Sequence, residues 1–284
     1  MLIKNSKIVK HWFTWTTVAI IRINNRNINE MGDYLTTPEL LPGERIDQLY
    51  SQDIKIIQSP QVFSFSLDAV LLANFAKPPL KQTGKLVDLC AGNGAVGLFM
   101  APRVKGKIAM VEIQPRLADM ARRSVALNQL EEQITVYQQD LATIFNQIRK
   151  DSVDTVVCNP PYFADLPDSK KNPNQYLAIA RHEIATSLET VIEVTSGLLK
   201  MNGKAFFVYR PDRLLEMTAM MSKHRLAVKR LQFVYPKVGR DANIMLVEAI
   251  KDGRSSGLKV LPSLMTYDES GEYSAPVKKM LYGE

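Results

Sequence analysis

Asn159-Pro160-Pro161-Tyr162 follows the six-residue run Val153 to Cys158, which reads as a buried strand. Two consecutive prolines cannot continue a strand or a helix, because each lacks an amide donor and fixes its own φ. The chain must leave the strand end in a stiff turn that holds an amide, a free carbonyl and an aromatic ring in one array. Such an array suits a flat group that carries an NH2. The Asn159 side-chain oxygen and the Pro160 carbonyl can each accept one amino hydrogen, and Tyr162 can stack on the plane. Taken alone, the tetrapeptide can also be read as an ordinary loop, since Asn and Pro are common turn formers. A second motif upstream changes that balance.

The second motif is Leu86-Val87-Asp88-Leu89-Cys90-Ala91-Gly92-Asn93-Gly94-Ala95-Val96-Gly97. An apolar run enters a glycine-rich turn and then a helical pattern, so a ligand can approach the backbone closely and meet a helix N-terminus. The spacing of Gly92, Gly94 and Gly97 matches a dinucleotide-binding loop, and spacing alone leaves that competitor open. Asp88 argues against it, because an acid just before the glycines repels a pyrophosphate. A cofactor with a cationic, amine-bearing end fits better, as in S-adenosylmethionine. The strand-like Lys107–Glu112 then ends in an acid 18 residues after Gly94, where it can accept hydrogen bonds from both ribose hydroxyls. A third run, Ile134 to Tyr137, leads to Asp140-Leu141. Asp140 can bind an adenine amino group, although a turn or helix-cap Asp looks the same.

These strand ends need a scaffold. With 284 residues, 46% of them apolar, the chain can bury a large core. Strands alternate with helical patterns, which predicts an α/β fold around a parallel sheet. Leu117, Met120, Ala121, Val125 and Leu127 form one helical face, with Arg116, Arg122 and Arg123 on the other. Lys204–Tyr209 reads as another buried strand, and Arg213–Lys223 as a helix with Leu214, Leu215, Met217, Met220 and Met221 on or near one face, its methionines belonging to the core. Leu226–Tyr235 and Asn243–Ile250 read as an antiparallel hairpin that ends the sheet. Residues 252–284 read as irregular and surface-wrapping.

The succession of D-L-x-A-G-x-G, an acidic strand end, Asp-Leu and N-P-P-Y resembles the class I S-adenosylmethionine-dependent methyltransferases that act on amino groups. The likeness spans roughly Leu49 to Lys251. Phe63-Ser64-Phe65-Ser66-Leu67-Asp68-Ala69-Val70-Leu71-Leu72, Arg181-His182-Glu183 and Pro236 to Asn243 are similar to the bacterial tRNA (adenine-N(6))-methyltransferases that modify the adenine 3′ of a valine tRNA anticodon. The resemblance implies a Rossmann-like fold: a mostly parallel seven-stranded sheet ending in an antiparallel hairpin, with helices on both faces. It implies Asn159, Pro160, Pro161 and Tyr162 as catalytic residues. For the cofactor it implies Phe65, Asp68, Asp88, Ala91, Gly92, Gly94, Glu112, Ile113, Asp140, Leu141 and Asn159. The Phe65–Asp68 segment would close over the methionine end; read locally, it is a helix start with Ser66 or Asp68 as cap. Three other activities share parts of the pattern: glutamine methylation of peptide release factors, guanine methylation of ribosomal RNA, and DNA adenine methylation. The first usually carries a helical amino-terminal domain and the other two a further domain, none of which this chain shows. A non-enzymatic RNA-binding module would leave the acids at the strand ends without a purpose.

The expected organisation is an extension at 1–31, a cofactor-capping segment at 32–85, the methyltransferase core at 86–251 and a surface tail at 252–284. Residues 1–31 carry +4 of the net +7, and their apolar stretch from Trp12 to Ile23 is interrupted by polar residues and too short for a membrane span. Met31 reads as the natural start. The two cysteines, Cys90 and Cys158, read as small buried hydrophobes, and the three histidines show no metal-ligand spacing. Neither a membrane nor a metal is expected; a cytoplasmic monomer or homodimer is. From Lys200 to Lys251 there are 11 Lys or Arg against four Asp or Glu. Lys223, Arg225, Lys229, Arg230, Lys237 and Arg240 read as a phosphate-tracking RNA surface, or by themselves as a solvated face. The expected tRNA target is an extruded or single-stranded base, because duplex RNA hides its base edges.

Overall fold

The computed structural model describes residues 38–62, 65–162 and 186–283. Phe63, Ser64, Arg181-His182-Glu183 and the extension at 1–31 lie outside the described residues. The chain begins with a small antiparallel pair, β1 (Arg45–Leu49) and β2 (Ile54–Gln58), followed by helix α1 (Leu67–Phe75). Alternation then sets in: β3 (Lys85–Leu89), α2 (Ala95–Met100), β4 (Lys107–Glu112), α3 (Pro115–Leu127), β5 (Ile134–Gln138) and β6 (Val153–Cys158). It continues with α4 (Leu188–Leu198), β7 (Leu199–Tyr209), α5 (Leu214–Lys223), β8 (Leu226–Tyr235) and β9 (Ile244–Lys251).

The strands order as β8-β9-β7-β6-β3-β4-β5. The four pairings from β7 to β5 are parallel, and the β9 pairings with β7 and β8 are antiparallel. This is the expected seven-stranded sheet with its closing hairpin. Two short strands, β10 (Lys259–Val260) and β11 (Leu264–Met265), add to it by pairing in parallel with β8. The tail expected to be irregular thus extends the sheet and ends in helix α6 (Ala275–Tyr282), which buries Val277 and Leu281. No β-periodic run announces strands of two residues, and α6 depends on an apolar surface supplied by α1.

Period-2 alternation divides the sheet's side chains between two cores. Leu86, Ile108, Met110 and Phe206 pack with α1, α2 and α6 on one face. Val87, Leu89, Val111 and Phe207 pack with α4 and α5 on the other. Met217 and Met221 are fully buried as expected, whereas Leu215 is 83% exposed and belongs to the solvent face. Strand order reverses between β3 and β6, so the crossovers leave β3 and β6 in opposite directions. That divergence opens a crevice at the carboxyl ends of the parallel strands, where ligands of such sheets bind.

Candidate active site

The loop after β3 is built to bring backbone to the crevice. Cys90, Gly92 and Gly94 all have positive φ, at 55°, 58° and 88°. The Gly94 N–H donates to the Ala91 carbonyl (2.8 Å) and tightens the turn. A Cβ on Gly94 would lie 3.1 Å from Met110 Sδ and 3.2 Å from Ala121 Cβ, so both conformation and packing require glycine. A Cβ on Gly92 would meet nothing within 4 Å and would point into open space. The loop is held from outside by Asn93, whose Nδ2 donates to the Ile57 carbonyl on β2 (3.0 Å).

The crevice is a cavity walled by Phe65, Cys90, Ala91, Gly92, Asn93, Glu112, Ile113, Gln114, Asp140, Leu141, Asn159 and Pro161, among others. Nine of the residues expected from sequence therefore meet around one space. Phe65 is placed there by Gln58, whose Oε1 accepts its N–H (2.9 Å). The wall also holds Asn93, Ala95, Val96, Val111, Gln114, Leu117, Gln139 and Thr186, to which the sequence reading assigned no role at the site. Ala95 and Val96 were legible as the start of the helix after the glycines, and Gln114 as the turn after Glu112. Thr186 carries no sequence signal.

Glu112 occupies the end of β4, 5% exposed. Its Oε2 accepts the Gly92 N–H (2.8 Å) and its Oε1 the Gln114 N–H (2.9 Å). Burial raises its pKa above the ordinary carboxylate value, and those two N–H donors oppose the rise. Each carboxylate oxygen keeps a lone pair for a diol. Asp140 caps the 3-10 turn that follows, its Oδ1 accepting the Ala142 N–H (2.9 Å). Capping and ligand binding are thus compatible, because the second oxygen remains. Gln114 Oε1 is a buried acceptor in the cavity wall with no partner among the described residues. Open space at Gly92, a paired-acceptor carboxylate and an unmatched amide oxygen fit a nucleoside carrying ribose hydroxyls and an amino group.

Asp68, Asp88, Gly94, Pro160 and Tyr162 are near the cavity without forming its wall. Asp88, 1% exposed, turns behind the loop, and its Oδ2 accepts the Gly97 N–H (2.9 Å). Burial pushes its carboxyl up to about 7, against the Gly97 hydrogen bond and with a further rise from Glu112. Its Oδ1 has no partner among the described residues. Ser66 is the N-cap residue of α1 but makes no side-chain cap bond. Asp68 is 4% exposed and accepts the Tyr162 hydroxyl at 2.7 Å. The Tyr162 ring packs edge-on to Tyr209, centroids 5.8 Å apart. Arg213 Nη1 reaches the Tyr162 carbonyl (3.5 Å) and the Tyr209 hydroxyl.

The six basic residues separate along β8. Lys237 and Arg240 are exposed on the β8–β9 turn, which the Val234–Ile244 and Tyr209–Met245 pairings place at the carboxyl edge. Lys223 and Arg225 precede β8 at the opposite edge, about 30 Å away for a ten-residue strand. Lys223 pairs with Glu189 (2.5 Å) and Arg225 with Asp252 (2.7 Å). Lys229 donates to the Arg254 and Ser256 carbonyls. Arg230 pairs with Glu248 and stacks its guanidinium 4.5 Å over Phe75. A sequence cluster on an extended strand becomes a line in space.

A strand-order reversal with a glycine turn, an acid at the second strand end and an amide at the fourth defines a class I S-adenosylmethionine-dependent methyltransferase. The sequence profile of the methyltransferase small domain family matches residues 53–233. The chain belongs to that family, together with the bacterial tRNA (adenine-N(6))-methyltransferases it resembles. The Bacteroides fragilis (strain YCH46) protein named tRNA1(Val) (adenine(37)-N6)-methyltransferase is 30% identical over 175 residues, 61% of this chain and 70% of that one. The protein of the same name from Shewanella loihica is 26% identical over 215 residues, 74% of this chain and 86% of its own. Among solved structures, a predicted O-methyltransferase from Agrobacterium tumefaciens superposes with a TM-score of 0.61 at 24% identity, covering 76% of this chain and 96% of that chain. This last likeness is one of fold. Among the described residues no helix is long and apolar enough to cross a membrane.

Proposed function

We propose that the chain methylates the exocyclic amino group of an adenine in tRNA, the adenine 3′ of a valine tRNA anticodon, in the cytoplasm. The observation that carries the reading is Asn159 in the wall of the cofactor cavity, at the end of β6, with Pro160 fixed beside it. Relatives named for this activity support the choice of adenine in tRNA over the amide of glutamine.

When bound, S-adenosylmethionine supplies an electrophilic methyl group on a sulfonium. Glu112 would hold its ribose hydroxyls, and Asp140 with the Leu141 N–H its adenine. Phe65 would cover the methionine end, while Asp88 braces the loop from behind through the Gly97 N–H. The target nitrogen is a poor nucleophile because its lone pair is delocalised into the base. Asn159 Oδ1 and the Pro160 carbonyl accept its two hydrogens and localise the lone pair toward the methyl. No general base would be needed before attack: the N–CH3 bond would form as the S–CH3 bond breaks, S-adenosylhomocysteine would be the leaving group, and the methylated nitrogen, by then strongly acidic, would release its proton to water. Positioning and fixed dipoles provide the acceleration. Lys237 and Arg240, at the same edge as Asn159, meet the RNA phosphates.

The test is transfer from methyl-labelled S-adenosylmethionine to total RNA of a strain lacking the gene, with nucleoside analysis. The expected product is N(6)-methyladenosine within valine tRNA. Label in a protein of release-factor size, with none in RNA, would move the assignment to glutamine methylation.

A further inference from the structure

The Tyr162 hydroxyl makes two contacts for which the reaction above has no use. Its oxygen lies 2.7 Å from Asp68 Oδ2 and 2.7 Å from Asn159 Oδ1. A phenol carries one hydrogen, and both neighbours are acceptors when Asp68 is ionised. One hydrogen cannot serve both, so either a second proton is present or the amide is turned.

Two arrangements satisfy the geometry. With Asp68 protonated, its O–H donates to Tyr162 and Tyr162 donates to Asn159 Oδ1. The Asn159 oxygen is then capped and its NH2 is left for the ligand. With Asp68 ionised, Tyr162 donates to the carboxylate, which is the stronger, charge-assisted bond. The Asn159 amide then turns by half a revolution and donates Nδ2–H to the phenol oxygen. Oxygen and nitrogen of an amide fill nearly the same space, so the turn needs no repacking. The Asn159 oxygen now faces the cavity that Asn159 helps to wall. Among the described residues, Tyr162 is the one side-chain partner of the Asn159 amide, so none of them besides Tyr162 sets its orientation.

We propose that Asp68 is a positioning residue for methyl transfer: by holding the Tyr162 proton it turns the Asn159 oxygen, rather than its NH2, toward the target amino group. The inference rests on the reading of Asn159 as the acceptor for that group. Asp68 sits in the first turn of α1, among buried neighbours from Ala69 to Leu72, so its carboxylate is fixed by the core. It reaches Tyr162 across 94 positions of sequence. Ser66 lies beside Asp68, and Cys158 and Tyr209 beside Tyr162. Burial outweighs the Tyr162 hydrogen bond and raises the Asp68 pKa above the ordinary carboxylate value, so the protonated arrangement gives way to the ionised one as pH rises.

A double-mutant cycle separates this coupling from a structural role. Asp68→Asn keeps the shape but removes the charge; its amide can turn either oxygen or NH2 to Tyr162, so the charge-assisted bond that keeps the phenol proton from the Asn159 oxygen is lost. It should lower kcat by about tenfold or more, with cofactor Kd and RNA KM within about twofold of wild type. In a Tyr162→Phe background the same change should cost less than about twofold. Equal losses in the two backgrounds, or a loss confined to KM, would overturn the proposal. A second readout requires no substrate. The Asn159 side-chain 15N–1H resonances, identified by their loss in Asn159→Ala, should shift with pH in the wild type and stay fixed in Asp68→Asn and Tyr162→Phe. A wild-type signal that ignores pH would end the idea. Shifting signals in a protein that leaves tRNA unmethylated would instead discard the substrate and keep the coupling.

Discussion

Replacing Glu112 by Gln should weaken the cofactor far more than it weakens the fold. The carboxylate accepts the Gly92 N–H on one oxygen and the Gln114 N–H on the other. Glutamine has one acceptor oxygen. Whichever way its amide is turned, an NH2 faces one of those two N–H groups, and a donor is left without an acceptor at a cost of about 1–3 kcal/mol. Relief of the buried charge, which already raises the Glu112 pKa, offsets part of that cost in the free protein. Nothing offsets the loss in the complex. One ribose hydroxyl there loses a charged acceptor, about 1.5–3 kcal/mol, and 1.4 kcal/mol is a factor of ten. The Kd for the unreactive product S-adenosylhomocysteine should therefore rise by about 10- to 100-fold, measured by titration calorimetry at pH 7.5. Thermal melting without ligand should move by only a few degrees, in the range of about 2–4 °C per kcal/mol for a chain of this size. Because burial raises the Glu112 pKa, the wild-type affinity should also fall as pH drops toward that value, and the Gln variant should lack this acid-side decline. An affinity within twofold of wild type would refute the role of Glu112 as the ribose acceptor.

Asp88 gives a stability test. Its carboxyl is raised from 3.8 to about 7 in the fold. The native state therefore holds a proton that the unfolded chain releases, and the associated stability is present below about pH 3.8 and lost as pH rises through 7. The difference amounts to about 4 kcal/mol, so urea unfolding of Asp88→Asn should show a flatter pH dependence than wild type and greater stability at pH 8; parallel profiles would contradict the assignment. Gly94→Ala must place a Cβ at φ 88° between Met110 and Ala121, and should lose about 2 kcal/mol or more by urea unfolding. Asn159→Ala should reduce methyl transfer at least ~10²-fold with cofactor affinity retained, and undiminished turnover would remove Asn159 from the mechanism. Single substitutions of Lys237 and Arg240 should each reduce the salt slope of RNA binding by about one, while Arg230→Ala should act on stability through Phe75 and Glu248 instead.

Sequence alone determined what is local. The bounds of β4, β6 and β8 agree with the sequence reading, because apolar runs ending in Glu112, Asn159 or a Pro-Lys-Val-Gly-Arg turn are set by neighbours in the chain. The types of residue at those strand ends were legible for the same reason, and with them the cofactor class. Which of them face one another was not. The β3–β6 pairing that sets Leu89 opposite Cys158 joins segments far apart in sequence, and it alone carries Asn159 to the glycine loop. The direction of a side chain at a strand end also depends on pairing, so Asp88 could be read as a cofactor contact yet turns behind the loop to Gly97. Tyr162 looked like a stacking platform from its ring; its hydroxyl is committed to Asp68 through an α1 position that no short-range pattern links to it. Six basic residues within 18 positions looked like one patch, but an extended strand carries its ends to opposite edges of the sheet. Composition and spacing thus settled which groups are available, while register and sheet order, fixed by burial of both faces at once, decided which of them act together.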